Sequence, residues 1–210
     1  MSAIPNLNVI EHPVVADLLA EARSRETRPG RFRHVVRRLG ALLTYEAARG
    51  LPTQDETIET PIEAMTTRRL AYPLVIVPIL RAGLVMADGA LDVLPDAIVG
   101  HVGLFRDESN LQPVGYYQKI PAEAASGPVF VIDPMLATGG SVIEAIRRLD
   151  ARDHGAVTVV CMVAAPEGVE RMGREYPAVA IVAGALDRAL NDSGFIVPGL
   201  GDAGDRMFGT

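Results

Sequence analysis

The chain has one cysteine in 210 residues. Cys161 lies inside the apolar run "VTVVCMVAA", so an internal disulfide is excluded and a buried packing thiol is expected rather than a nucleophile. Basic charge is also short, with 20 Lys and Arg against 26 Asp and Glu for a net charge of -6. No basic face is evident to neutralise phosphates, which argues against nucleic acid as the main partner. A small anionic ligand is still admissible, because a pocket can be locally positive in an acidic protein. His12, His34, His101 and His154 are scattered without ligand spacing, so no protein-held zinc site is expected. The apolar runs are too short to cross a bilayer, and "MSAIPNLNVIEHP" has no basic segment followed by an apolar one. Neither a membrane partner nor a secretory leader is expected, and the expected location is the cytoplasm.

What is present is ordinary globular composition, 49% hydrophobic and 22% charged, in a length that suits one domain with a sizeable core. The first fifty residues read as helical: Leu18, Leu19 and Ala22, then Phe32, Val35, Val36, Leu39, Leu42, Leu43 and Ala47, recur at three- and four-residue spacing. Gly50 and Pro52 stop that pattern, and "TQDETIETP" follows with no strong period. From Tyr72 strands alternate with helices. "LVIVPIL" (74–80), "AIVGHVGLF" (97–105), "PVFVID" (128–133), "VTVVCMVAA" and "VAIVAGAL" read as strands. "GLVMADGALDVL", "SVIEAIRRLDARD" (141–153, with Gly155 as its stop) and "PEGVERMGREY" read as the helices between them. Near-continuous apolar strands separated by helices imply an α/β fold, a parallel sheet covered on both faces. Two stretches break the alternation: "RDESNLQPVGYYQKIPAEAASG" (106–127), long enough to be a functional arm or a disordered segment, and a Gly- and Asp-rich tail that could fray or cover the sheet edge as a lid.

The stretch "VFVIDPMLATGGSVIEAI" (129–146) carries the chemistry. Ligands of open parallel sheets sit at the carboxyl ends of strands. Glycines that allow close approach, followed by a helix N-terminus, make a phosphate site without a cation. Ala137, Thr138, Gly139, Gly140 and Ser141 suit that role, with Thr138 and Ser141 as hydroxyl donors and Ser141 as a candidate helix cap. A plain strand-to-helix turn would show the same local pattern. The P-loop pattern is absent, since no lysine lies in or just after the loop. A dinucleotide fingerprint occurs as Gly199, Gly201 and Gly204 in "GLGDAG", but six residues follow Gly204, which leaves no room for the rest of a βαβ unit. Asp133, at the strand end, can accept hydrogen bonds from the vicinal hydroxyls of a ribose whose 5-phosphate sits in the loop.

An apolar strand, an acidic residue and "ATGGS" resemble the phosphoribosyl diphosphate (PRPP) signature of type I phosphoribosyltransferases. Most of that class has two adjacent acidic residues; here Pro134 follows Asp133, as in the branch of the uracil phosphoribosyltransferases. "VPILRAGLVM" (77–86), "LFRDESNLQPVGYYQKIP" (104–121), "VIDPMLATGGS" (131–141), "TRRL" and "ALDRALNDSGFIVPGLGDAGDRMFGT" (185–210) are similar to that branch over nearly the whole chain. The resemblance implies one domain over 1–210: a helical part at 1–60, an extended arm at about 106–127 and a C-terminal hood at about 185–210. It implies PRPP binding by Arg81, Arg106, Asp133, Pro134, Met135, Leu136, Ala137, Thr138, Gly139, Gly140, Ser141 and Asp202. Uracil would be read by backbone groups near Ile196 and from Gly201 through Asp202 to Ala203. Arg81 also reads as a surface ion-pair partner, and Asp107 and Glu108 as groups that orient Arg106. A guanidinium suits a diphosphate through its bidentate geometry.

The implied reaction joins uracil to PRPP, giving UMP and diphosphate. It needs positioning and charge stabilisation more than a covalent nucleophile. Asp202 is the nearest candidate for handling the uracil N–H proton. Magnesium would be carried mainly by the substrate's diphosphate and ribose oxygens, with no protein metal cage. Phe195 stands where relatives have tyrosine, so no phenol acts there. Tyr116 and Tyr117 could anchor the arm, a subunit contact or simply the hairpin's packing. Family members form dimers or larger homo-oligomers and some respond to GTP, although no residue pattern here marks a GTP site. Two alternatives stand beside this reading: a transferase for another base, and an RNA-binding pyrimidine regulator on the same fold, which the charge of -6 disfavours.

Overall fold

A computed structural model describes residues 6–106 and 113–210. In chain order the elements are β1 (Leu7–Val9), α1 (Pro13–Arg23), α2 (Pro29–Ala47), a short 3-10 turn, then β2 (Thr53–Glu59) and β3 (Ala64–Leu70). They continue with β4 (Val75–Leu80), α3 (Gly83–Val93), β5 (Ile98–Val99), β6 (His101–Arg106) and β7 (Pro113–Lys119). After another 3-10 turn come β8 (Val129–Ile132), β9 (Met135–Leu136), α4 (Gly140–Asp150), β10 (Val157–Ala164) and α5 (Pro166–Glu175). The chain closes with β11 (Ala180–Leu186), β12 (Ala189–Leu190), β13 (Ile196–Val197) and α6 (Ala203–Phe208).

The main sheet runs β1-β11-β10-β8-β4-β6-β7, with β5 beside β4 and β9 beside β10. Every pairing in it is parallel except β6 with β7. The strands are apolar on both faces because each face has its own helical layer. Period-two alternation sorts the residues: Ile76, Phe130, Ile132, Val160 and Met162 join the buried residues of α1, α2, α3 and α6 in one core. Val75, Val77, Val129, Val131, Val159 and Cys161 face the other way, into a second core with α4 and α5. Helix α2 supplies much of the first layer, since Phe32, Val35, Val36, Leu39 and Leu43 lie on one face and are all fully buried. Each such side chain contributes about 1.5 to 3 kcal/mol of burial.

Several expectations need correction. The N-terminal part is not wholly helical: Leu7–Val9 pairs with Ile181–Ala183 at the sheet edge. Residues 53–59 form a strand rather than an aperiodic segment, paired antiparallel with 64–70 in a separate hairpin that includes "TRRL". Both faces of that hairpin are largely exposed, so no apolar alternation marks it. The strand at 97–105 is split at Gly100, its first part pairing with β4 alone. Helix α4 ends at Asp150, well before Gly155, with Ala151 at its C-cap. The arm is a hairpin, β6 against β7, followed by a 3-10 turn at Ala122–Ala125. Asp107 and Glu108 lie outside the described residues. The tail is structured: β12 pairs antiparallel with β13, and α6 packs its Met207 into the first core. Among the described residues no helix is long and apolar enough to cross a membrane.

Candidate active site

Because β8, β4 and β6 are adjacent and parallel, their carboxyl ends fall on one edge of the sheet. Asp133 follows β8, Arg81 follows β4 and Arg106 ends β6. Three residues far apart in sequence thus converge on the edge where ligands of such sheets bind. The Leu80–Arg81 peptide is cis. The Arg81 guanidinium is half exposed, with Nη2 3.6 Å from Asp205 Oδ1. It also lies 5.7 Å from the Phe208 ring centre, so it touches helix α6 of the hood. Arg81 thus sits at the strand end and is an ion-pair partner. Nothing is described of the Arg106 side chain.

Beyond β8 the chain does not run straight into a loop. The Asp133 amide donates to the Val160 carbonyl at 3.2 Å. Pro134 turns it, and its carbonyl accepts from the amides of Met162 and Val163. Met135 and Leu136 then rejoin the sheet beside β10. The phosphate-type loop is thus shorter than expected, Ala137 to Gly139, and it hangs from a sheet extension. Gly139 is the N-cap of α4 with φ +77°, a conformation that a side chain would strain. The cap is therefore Gly139 and not Ser141, which lies within the helix's first turn. Gly139 offers no side-chain cap; the Thr138 hydroxyl accepts from the Gly140 amide at 3.4 Å, and with no acidic residue in the first turn the amide end of the α4 dipole is directed at the loop. A concavity of about 30 Å³ is lined by Met135 through Val142.

The loop is braced from behind by α5. A Cβ on Gly168 would come within 2.3 Å of the Ala137 carbonyl oxygen, so the backbones touch there. The Arg171 guanidinium reaches the Thr138 carbonyl at 3.5 Å. The Glu167 carboxylate accepts from the Leu190 amide at 2.9 Å, tying the same turn of α5 to the hood. Nothing local in "PEGVERMGREY" signals these contacts, because their partners come from other elements.

The hood completes the site. Met135 of β9 and Ala137 of the loop line a cavity of about 270 Å³ together with Gly194, Phe195, Ile196, Gly201, Asp202 and Ala203. Ile196 and Ala203 are buried, Phe195 is 47% exposed, and Gly201 has φ +78°. Asp202 caps α6, its Oδ1 accepting from the Asp205 amide at 2.9 Å. The dinucleotide fingerprint fails as expected: its last glycine lies inside α6, and the strand before it pairs antiparallel in a two-stranded sheet. Burial, followed by the nearby Asp133 carboxylate, pushes the Cys161 thiol up, which suits a packing role. Among the described residues there is no group of three His, Cys, Asp or Glu placed to hold a metal ion.

Comparison with known proteins agrees with this geometry. Residues 9–210 match the uracil phosphoribosyltransferase family. The uracil phosphoribosyltransferase of Levilactobacillus brevis is 49% identical over 203 residues, covering 96% of this chain and 97% of that protein. The one from Acholeplasma laidlawii is 50% identical over 204 residues, covering 97% and 98%. The solved AQ2163 protein of Aquifex aeolicus superposes with a TM-score of 0.92 at 38% identity, covering 96% and 97%. An adenine phosphoribosyl transferase from Trypanosoma brucei shares the fold, with a TM-score of 0.61 at 13% identity over 92% and 89%. The chain belongs to the uracil phosphoribosyltransferase family.

Proposed function

We propose that the chain joins uracil to PRPP at the cleft between the 137–139 loop and the hood, releasing diphosphate and UMP. The C1–oxygen bond to diphosphate breaks, a bond from C1 to a uracil nitrogen forms, and the nitrogen gives up its proton. The observation that carries this reading is the shared cavity, walled mostly by the tail and closed on one side by Met135 and Ala137 beside the phosphate-type loop. A nucleotide product spans such a junction, with its phosphate at the α4 amides and its base under residues 196–203.

The roles proposed combine position in the fold with family likeness. Ala137 to Ser141 hold the 5-phosphate, and Asp133 at the end of β8 holds the ribose hydroxyls. Pro134 fixes the turn, and Met135 and Leu136 carry the loop as a sheet extension. Arg81 and Arg106, at neighbouring strand ends, serve the diphosphate. Ile196 and the backbone of Gly201 to Ala203 read the pyrimidine edge, and Asp202 is the carboxylate assigned to its departing proton.

Magnesium fits this donor set, because it prefers oxygen ligands and binds through few carboxylates plus substrate phosphates. Asp133 and Asp202 are the residues that would support it, and it would neutralise charge on the leaving diphosphate. A homodimer or larger assembly, a cytoplasmic location and a GTP effector belong to the proposal through family likeness.

A split in kinetics tests the site. Asp133→Asn raises KM for PRPP about tenfold or more and leaves KM for uracil within about twofold. Ala203→Val, which puts bulk into the cavity, does the reverse. Equal changes in both constants for either variant would overturn the assignment.

A further inference from the structure

The reading loop at 201–203 is short, and the residues just before it are held by charged side chains from distant parts of the chain. Arg23, the last residue of α1, donates through Nη1 and Nη2 to Asp187 Oδ2 and Oδ1 at 2.8 and 2.7 Å. The pair is largely removed from water, with 6% of the Asp187 side chain and 25% of Arg23 exposed. Both partners also grip Gly199: its amide donates to Asp187 Oδ2 at 2.8 Å, and its carbonyl accepts from Arg23 Nη1 at 2.8 Å. Gly199 has φ +59° and its Cβ would meet the Ile196 carbonyl at 2.1 Å, so the turn has no alternative residue or slack. The next carbonyl, Leu200, accepts from Arg206 Nη1 at 2.8 Å. Arg206 in turn stacks over Phe32, 4.3 Å from its ring centre, and donates to the Ala22 and Ser24 carbonyls.

We propose that Arg23 and Asp187 are positioning residues for uracil, forming a clamp that fixes where the backbone edge of Gly201 to Ala203 points. Main-chain recognition has no side chain to adjust, so its accuracy depends on how firmly the preceding peptide planes are held. Three polar groups in that stretch are held: the Gly199 amide and carbonyl by the clamp and the Leu200 carbonyl by Arg206. Asp187 follows β11 directly and Arg23 ends α1, which packs on α2 and β11, so the clamp ties the loop to the sheet and to the first core. The PRPP loop makes no bond to either residue among those described.

Removing one partner would strand a buried charge and unfold the region for reasons unrelated to uracil. The informative variant is Arg23→Met with Asp187→Leu, which removes both charges and keeps apolar volume. It is expected to keep its circular dichroism, with KM for PRPP within about twofold and KM for uracil raised about tenfold. Arg23→Lys keeps the charge but loses the bidentate fork, and is expected to raise KM for uracil by a smaller factor, about threefold. Equal rises in both constants, or an unchanged KM for uracil in a folded variant, would overturn the clamp. Hydrogen exchange on the unaltered protein reads the same point without mutation. The Gly199 amide should be protected before ligand is added, and exchange at the rate of an open loop would refute its being held. The inference rests on 201–203 being the uracil edge, and Ala203→Val separates the two. If Ala203→Val leaves KM for uracil unchanged, the pocket assignment fails. If it acts while the double variant does not, the clamp alone fails.

Discussion

Gly168→Ala probes whether the phosphate loop is set by the helix behind it. The added methyl would sit 2.3 Å from the Ala137 oxygen, 3.0 Å from the Leu136 oxygen and 3.1 Å from the Ala137 carbonyl carbon. All three are backbone atoms, so no side chain can swing aside. Contact at van der Waals distance requires the loop and α5 to separate by roughly 1 Å. Displacements of that size cost a positioned reaction up to about a hundredfold. The expected loss in kcat/KM for PRPP is therefore about 10- to 100-fold, or about 1.4 to 2.7 kcal/mol of transition-state stabilisation. Overpacking should lower folding stability by about 1 to 3 kcal/mol as well. Initial rates over a PRPP series, at a temperature well below the variant's Tm, separate the two effects. A folded Gly168→Ala with kcat/KM for PRPP within about twofold of the parent would refute the idea that α5 sets the loop.

Three further outcomes follow. Asp202→Asn keeps an N-cap for α6, so Tm should hardly move while kcat falls; an unchanged kcat would remove Asp202 from proton transfer. Leu39→Ala empties a fully buried site on α2 and should cost about 2 to 5 kcal/mol in urea unfolding, and a cost under about 1 kcal/mol would contradict the packing described. The third concerns His154, where burial opposes the charge but the Gly155 carbonyl and Asp150 outweigh it, raising the pKa. A raised folded value means the stabilisation is complete below the unfolded value and is lost as pH rises through the folded one. The gap in stability between the parent and His154→Ala should thus be wider at pH 5.5 than at pH 8.5, and a gap that is constant or widens with pH would reverse the sign argued here.

The parallel sheet was legible because its strands bury both faces: Val75 to Leu80 and Val129 to Ile132 carry no polar side chain to obscure them. The position of the loop was legible for a related reason, since an apolar strand, Asp133 and two glycines before a helical pattern mark a turn at a strand's carboxyl end. The 53–70 hairpin was not, because residues such as Gln54, Asp55, Glu56, Arg68 and Arg69 are exposed and set no apolar period. Ser141 looked like a cap because it is the residue type that caps, but the left-handed turn at Gly139 places the helix start two residues earlier. The clamp was beyond reach for a topological reason: Arg23 and Asp187 are 164 positions apart, and only the order of strands in the sheet brings them together. Gly168 was hidden in the same way, its partner Ala137 being visible only once β9 pairs with β10.

The central claim is most directly tested by product analysis. The protein would be incubated with PRPP, magnesium and, in separate reactions, uracil, cytosine, hypoxanthine and orotate, with nucleotides resolved by chromatography. The account predicts UMP from uracil and no nucleotide from the other three bases. A nucleotide from another base in place of UMP would contradict the base pocket, and no nucleotide from any base would contradict the proposed reaction itself.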